Sequence, residues 1–232
     1  MVTLWIVPSD EDSAKLRIIM SMQSSTCKTR SYPKFHPHIT LAAPPSSSHL
    51  TLEQLRESIS HHLPCKIRID FKSVNTGNHF FRSVYIAVQP SPDLVSLHKY
   101  IHTTLDLEPR TPLFPHLSLC YIADEDDAAG KERQEWRNQL ETSGRIRTIG
   151  PAGGGGVELN CGKDGAGDDW VSGFDAYEIW FVDCNGPVES WAVLHKLRLM
   201  PNPYLLPSME TMADYVYIIY TISSLYFKLV SR

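Results

Sequence analysis

Two five-residue stretches of the chain follow one pattern. Pro37-His38-Ile39-Thr40-Leu41 and Pro115-His116-Leu117-Ser118-Leu119 both read proline, histidine, apolar residue, hydroxyl residue, leucine, and they lie 78 residues apart. Residues two apart in a strand share a face. Each copy therefore sets its apolar residues on one side and an imidazole with a hydroxyl on the other. Such a strand needs a core on its apolar face, and that need fixes its register. Two of them in one chain predict two related lobes whose polar faces look into a shared cleft.

The bare tripeptide His-x-[Ser/Thr] does not discriminate, because it occurs four times, at His38, His49, His102 and His116. His49 stands in a serine-rich turn before a helix. His102 falls inside a predicted helix, where positions two apart point to different faces. Only the copies at His38 and His116 lie in predicted strands, so only those two align imidazole and hydroxyl.

The rest of the pattern predicts an α+β fold with antiparallel sheets and packed helices. Strands are expected at 2–7, 35–41, 115–121, 177–182 and 191–199. A hairpin is expected over 66–75 and 80–88, turning at Thr76-Gly77-Asn78. Helices are expected at 10–22, from Thr51 (with Gln54 completing a capping box), at 92–105 and across 124–143. Residues 1–200 then form one bilobal domain, a length able to bury a core. Ten of the thirteen glycines fall between Gly144 and Gly173, so that span reads as a loop or insertion. Residues 201–232 form an apolar tail. Its uncharged run, 215–227, would span roughly 20 Å as a helix, short of a ~30 Å hydrocarbon core. It suits an added strand or a membrane-surface segment.

Charge and cysteines narrow the function. A formal net charge of −4 and a pI near 6.2 argue against coating long nucleic acid by bulk electrostatics. A phosphate-bearing ligand would need a small local site. Cys27, Cys65, Cys120, Cys161 and Cys184 are odd in number and contain no Cys-x-x-Cys, so reduced thiols in a cytosol-like compartment are expected. The first strand has no basic n-region, and a classical signal peptide is not expected. Gly153-Gly154-Gly155-Gly156 lacks the Gly-Lys-Ser/Thr of a phosphate loop. His36 and His38, as His-x-His on a strand, would share a face and could ligate zinc. No third ligand accompanies them at recognisable spacing, so no metal and no cofactor are expected.

The paired motif suits cleavage of a phosphodiester by water. One imidazole can take a proton from the nucleophile while another gives one to the leaving oxygen. Hydroxyls on the same face can donate to the non-bridging oxygens as their charge grows. In their Pro-His contexts, His38-Ile39-Thr40 and His116-Leu117-Ser118 resemble the signatures of the two-histidine phosphoesterase superfamily. Leu4-Trp5-Ile6-Val7-Pro8 and the hairpin 76–85 are similar to the plant and fungal cyclic phosphodiesterases within it, over roughly residues 3–200.

That resemblance implies a bilobal α+β fold, with two antiparallel sheets and outer helices facing a central cleft. It implies metal-independent hydrolysis of nucleoside 2′,3′-cyclic phosphates to 2′-phosphates, and of ADP-ribose 1″,2″-cyclic phosphate from tRNA splicing. His38 and His116 would be the acid–base pair, and Thr40, Ser118 and Tyr121 would bind substrate. Trp5, Phe80 and Phe81 are candidates for lining the cleft. A small cyclic nucleotide is the expected partner of a monomeric, cytoplasmic or endomembrane (Golgi-associated) protein. The other readings are an enzyme processing RNA ends and a non-catalytic nucleotide- or RNA-binding module.

Overall fold

The sheet is built by the period-two pattern of its strands. In the computed structural model, which describes residues 1–23, 31–45, 48, 50–60, 63–108, 113–150, 155–165 and 167–199, strand β1 (Val2–Val7) leads into helix α1 (Asp10–Met20) and strand β2 (Ile39–Ala42). Helix α2 (Leu52–Ile59), strands β3 (Ile67–His79) and β4 (Arg82–Val88), helix α3 (Pro92–Thr104) and strand β5 (His116–Cys120) follow. Helix α4 (Lys131–Thr142), strands β6 (Ile146–Ile149), β7 (Gly156–Asn160), β8 (Trp170–Val171), β9 (Gly173–Ala176), β10 (Glu178–Asp183) and β11 (Ala192–Arg198) complete the order.

Eight strands run β11-β10-β1-β2-β5-β4-β3-β9, and β6-β7-β8 form a second, three-stranded sheet. The eight divide into two halves of four. A single antiparallel partner pair, Ile39 with Leu117, joins them. On each side of that seam the chain repeats one unit, strand–helix–strand: β1-α1-β2 in one half and β4-α3-β5 in the other.

Leu4, Ile6, Ile39, Leu41, Leu117 and Leu119 are fully buried in the main core, with Leu16 and Ile19 of α1 and Leu94 and Ile101 of α3. A smaller cluster of Trp5, Val7, Trp180 and Val182 covers the opposite face of β1 and β10. Side chains supply the helix starts. Ser9 caps α1 by accepting from the Asp12 amide at 3.1 Å, and Thr51 with Gln54 closes the expected capping box.

Three expectations are corrected. The strand expected from residue 35 begins only at Ile39, because Pro33 and Pro37 bring no N–H to a ladder. The hairpin reverses at Phe80-Phe81, not at Thr76-Gly77-Asn78. Strand β3 runs through Gly77 to His79, and its register against β4 slips between Thr76 and His79. Gly77 marks a bulge where backbone meets backbone, since a Cβ there would collide with the Arg82 carbonyl. The glycine-rich span is not loop alone. Its described part forms β6 to β8, and Gly156 lets β7 approach the Phe71 carbonyl closer than a Cβ would permit. Residues 151–154 and the tail from 200 onward lie outside the described residues, as does His49.

The bulge sets the aim of the hairpin tip. Gly77→Ala is therefore expected to destabilise the protein by ~1–3 kcal/mol, the usual cost of forcing volume into packed backbone. Urea denaturation of the two proteins measures the difference, and equal midpoints would contradict the assignment.

Candidate active site

The pair Ile39–Leu117 decides what faces the cleft. Both side chains point into the core, so their neighbours His38, Thr40, His116 and Ser118 point the other way. Antiparallel pairing about that contact sets His38 beside Ser118 and Thr40 beside His116. Each imidazole of one half thus adjoins the hydroxyl of the other. All four line one cavity of about 580 Å³, together with Tyr121, Trp5 and Phe81.

His38 is held on two sides. Its Nδ1 donates to the His36 carbonyl at 2.7 Å, and a carbonyl can only accept, so Nδ1 carries the hydrogen and Nε2 is left for the cavity. The Trp5 ring lies flat on the imidazole, with centroids 3.6 Å apart and planes at 8°. His116 has its Nδ1 buried with no hydrogen-bond partner of full geometry among the described residues. The Leu113 backbone is the polar group that still favours its charged form. Its Nε2 is the nitrogen left to reach the cavity.

Burial moves both imidazoles to the neutral form. It is the largest cause of the fall at His38, whose pKa is pushed down to about 3, and the charges of His36 and His116 add to it. At His116 burial comes first and the Arg82 cation second, giving about 4. Burial also drives the Tyr121 phenol well above its usual range, so it stays protonated.

The hydroxyls differ. Ser118 Oγ donates to the Phe81 carbonyl at 2.8 Å, tying the hairpin tip to β5. Thr40, half-buried, makes no side-chain hydrogen bond among the described residues. Tyr121 is 2% exposed and stacks on Phe35 at 4.0 Å. Of the three aromatic candidates, Trp5 and Phe81 reach the cavity. Phe80 does not: it packs against Tyr121 at 5.4 Å.

His36 and His38 do not share a face. The chain is not in a strand there, and the His36 ring turns to Trp180 at 4.4 Å, away from the cavity that His38 lines. Among the described residues no group of three His, Cys, Asp or Glu is arranged to hold a metal ion.

Sequence reasoning missed part of the wall. His102, set aside above, lines the cavity at 6% exposure, and its Nε2 donates to the Leu41 carbonyl of β2 at 3.0 Å. His79 and Arg82 come from the hairpin tip, Trp191 from the approach to β11, and Asp106 and Glu108 from the end of α3. The hairpin residues stood in the quoted motif, whereas nothing local marks Trp191 or the two acids.

A family profile described as cyclic phosphodiesterase-like protein matches residues 1–199. A cyclic phosphodiesterase of Arabidopsis thaliana is 27% identical over 144 residues, 61% of this chain and 75% of that protein. A 2′,3′-cyclic-nucleotide 3′-phosphodiesterase of Yarrowia lipolytica is 24% identical over 213 residues, 83% of this chain and 96% of the relative. The fold is similar to that of E. coli LigT in its apo crystal form, with a TM-score of 0.51 at 11% identity over 86% of this chain and 97% of that one. LigT complexed with 3′-AMP gives 0.50 at 12% identity, over 86% and 98%.

The depressed imidazoles make stability pH-dependent. An unfolded histidine titrates near 6.5 and folded His38 near 3, so between those values the unfolded chain binds the extra proton. Stability from this group is present above pH 6.5 and is lost as pH falls below it, by up to about 1.4 kcal/mol per pH unit. Urea denaturation at pH 7.5, 6 and 5 should show that fall, and His38→Asn should reduce its slope, with the remainder set by the other depressed histidines, His116 among them. A wild-type stability that holds constant over the range contradicts the burial argument.

Proposed function

The chain belongs to the cyclic phosphodiesterase-like protein family, and we propose that its cavity hydrolyses nucleoside 2′,3′-cyclic phosphates to nucleoside 2′-phosphates. His38 and His116 act as the proton-transfer pair. One observation carries the reading: an imidazole and a hydroxyl from each half flank a single strand pair and face one cavity.

A neutral imidazole accepts the proton of the attacking water through Nε2. The other, protonated, gives its proton to O3′ as the P–O3′ bond breaks, leaving the 2′-phosphate. In the free protein burial keeps both neutral. The anionic diester supplies the opposite charge that favours protonating one of them, so substrate entry and proton uptake go together. Thr40 and Ser118 donate to the non-bridging oxygens as negative charge gathers there. To do so, Ser118 exchanges its bond to the Phe81 carbonyl for one to phosphate. Tyr121, protonated and fixed by stacking, serves as a further donor or wall. No step calls on a metal. ADP-ribose 1″,2″-cyclic phosphate presents the same strained diester and belongs to the same substrate class.

Purified protein should open 2′,3′-cyclic AMP in excess EDTA. Activity that vanishes with chelator and returns with Zn²⁺ or Mn²⁺ overturns the metal-independent scheme. His38→Ala and His116→Ala should each lower kcat by on the order of 10²–10⁴. The double variant should lose far less than the product of the two, because the pair acts as a unit.

The two hydroxyls should separate. Thr40→Val should cost on the order of 10²–10³ in kcat/KM with stability unchanged. Ser118→Ala should lower kcat/KM and also cost ~0.5–1.5 kcal/mol of stability, since it removes the hydrogen bond between the hairpin tip and β5. Kinetics and denaturation on one preparation test both, and unchanged kinetics would remove the residue concerned from the site.

A further inference from the structure

The mechanism above draws on two imidazoles, two hydroxyls and a tyrosine, and gives no role to the fixed cation beside them. Arg82 is the one arginine or lysine that lines the catalytic cavity. It opens β4 just after the hairpin tip and is half-buried. Resting on the catalytic reading, we propose that Arg82 binds the phosphate. Its guanidinium holds the non-bridging oxygens of the cyclic diester beside His116 and keeps hold of the ring-opened 2′-phosphate.

The surroundings lead the side chain to that place. Gly77 lies across the bulge, and a Cβ there would stand 3.4 Å from the Arg82 Nε. The missing side chain leaves the guanidinium its path. The Arg82 Cζ lies 6.0 Å from the centre of the Tyr85 ring, within reach of the attraction between a cation and an aromatic face. Tyr85 in turn stands edge-on to His116, with centroids 5.5 Å apart and planes at 73°. As the register partner of Ser118, Tyr85 belongs to the face that His116 and Ser118 present to the cavity. Arg82, Tyr85 and His116 thus form a row along β4 and β5 that ends at the seam.

The electrostatics fit an anion in that row. Around His116 stand His38 from the approach to β2, Tyr85 and Arg82 on β4, and His102, Asp106 and Glu108 from α3 and its end. Arg82 is the charge among them that bears on the titration of His116, second only to burial. A phosphate between guanidinium and imidazole is a counter-ion to both. The chemistry asks for the same group. Water oxygen bonds to phosphorus as the P–O3′ bond breaks, one imidazole takes the water proton, and the other gives a proton to O3′. The resulting monoester can carry two negative charges where the diester carried one. The planar fork of a guanidinium meets two phosphate oxygens at once, which a hydroxyl or an ammonium cannot.

The test compares the full-length wild-type chain with Arg82→Gln and Arg82→Lys, after urea denaturation has shown that each is folded. NMR titrations give the affinities for 2′-AMP and adenosine and follow the His116 imidazole with pH. Arg82→Gln should weaken 2′-AMP by ~10–10²-fold, the range of one hydrogen-bonded charge, and leave adenosine in place. His116 should then titrate at a higher pH. For 2′,3′-cyclic AMP, kcat/KM should fall by on the order of 10²–10³. Arg82→Lys keeps the charge and loses the fork, so it should restore the low titration of His116 and only part of the 2′-AMP affinity.

A merely structural role would move neither the ratio of the two affinities nor His116. Equal weakening of 2′-AMP and adenosine in Arg82→Gln overturns the proposal, as does an unmoved His116 or a wild-type chain that does not bind 2′-AMP. Should Arg82→Gln fail to fold, Arg82→Lys decides: 2′-AMP weakened with His116 unmoved supports the proposal, and full 2′-AMP affinity overturns it. These readouts need no turnover. A chain that binds 2′-AMP through Arg82 but opens no cyclic nucleotide faults the catalytic reading and leaves the phosphate site standing.

Discussion

The contact between Ile39 and Leu117 is one partner pair in an eight-stranded sheet, and the site depends on it. Each side chain is fully buried, so neither strand can slip by one residue without turning an imidazole into the core and an isoleucine or leucine into the cleft. Burial of the apolar partner fixes the direction of the polar one. The join is also narrow. Neighbouring strands within each half share three or more partner pairs, while the seam is a single pair, so the two halves can diverge from it and leave a cavity. A broader seam would bring the two polar faces into one flat surface with no room for a ligand.

The same cavity imposes an electrostatic cost on its histidines. Both lie where burial disfavours charge, and protonating either is opposed by its neighbours as well: His36 and His116 around His38, the Arg82 cation near His116. Water-filled surroundings would leave both near pH 6.5 and partly charged without a substrate. Here charge enters with the ligand. On the proposed mechanism, a phosphodiester would be the counter-ion that makes one protonated imidazole stable, linking recognition of an anion to the protonation state that proton transfer needs. The Trp5 ring over His38 and the His36 carbonyl on Nδ1 fix the orientation of that imidazole.

What the sequence made legible was local and periodic. The two motifs carry strand phase, and phase alone sets four side chains on one face. The start at Thr51 was readable because that residue caps its own helix within three residues, and the structure shows Ser9 and Ser91 doing the same for α1 and α3. Two failures share one cause. Gly77 looked like a turn and proved to be a bulge, and the glycine-rich span looked like a loop and contains strands. In both places glycine serves close approach of backbones distant in sequence, at Arg82 and at Phe71, and no local pattern distinguishes that use from a turn. His102 was dismissed on sound helical geometry. Its face was indeed different from its tripeptide partner's, yet α3 packs that face against β2. Trp191, Asp106 and Glu108 reach the cavity only through the long-range fold.

An acidic protein that handles an anion must solve the attraction locally. With net charge −4, the bulk field repels a phosphodiester, and two neutral imidazoles do not reverse it. In the catalytic wall Arg82 supplies a permanent positive charge beside His116, while Asp106 and Glu108 lie in the same wall. A cavity of mixed sign orients what it binds: the phosphate is drawn to the seam, and groups with N–H donors are favoured near the carboxylates. Attraction at long range is given up, and orientation at short range is gained. For a ligand of one small cyclic diester, orientation is the more useful quantity, because the proposed proton transfer between the two imidazoles would tolerate little misplacement of the oxygens between them.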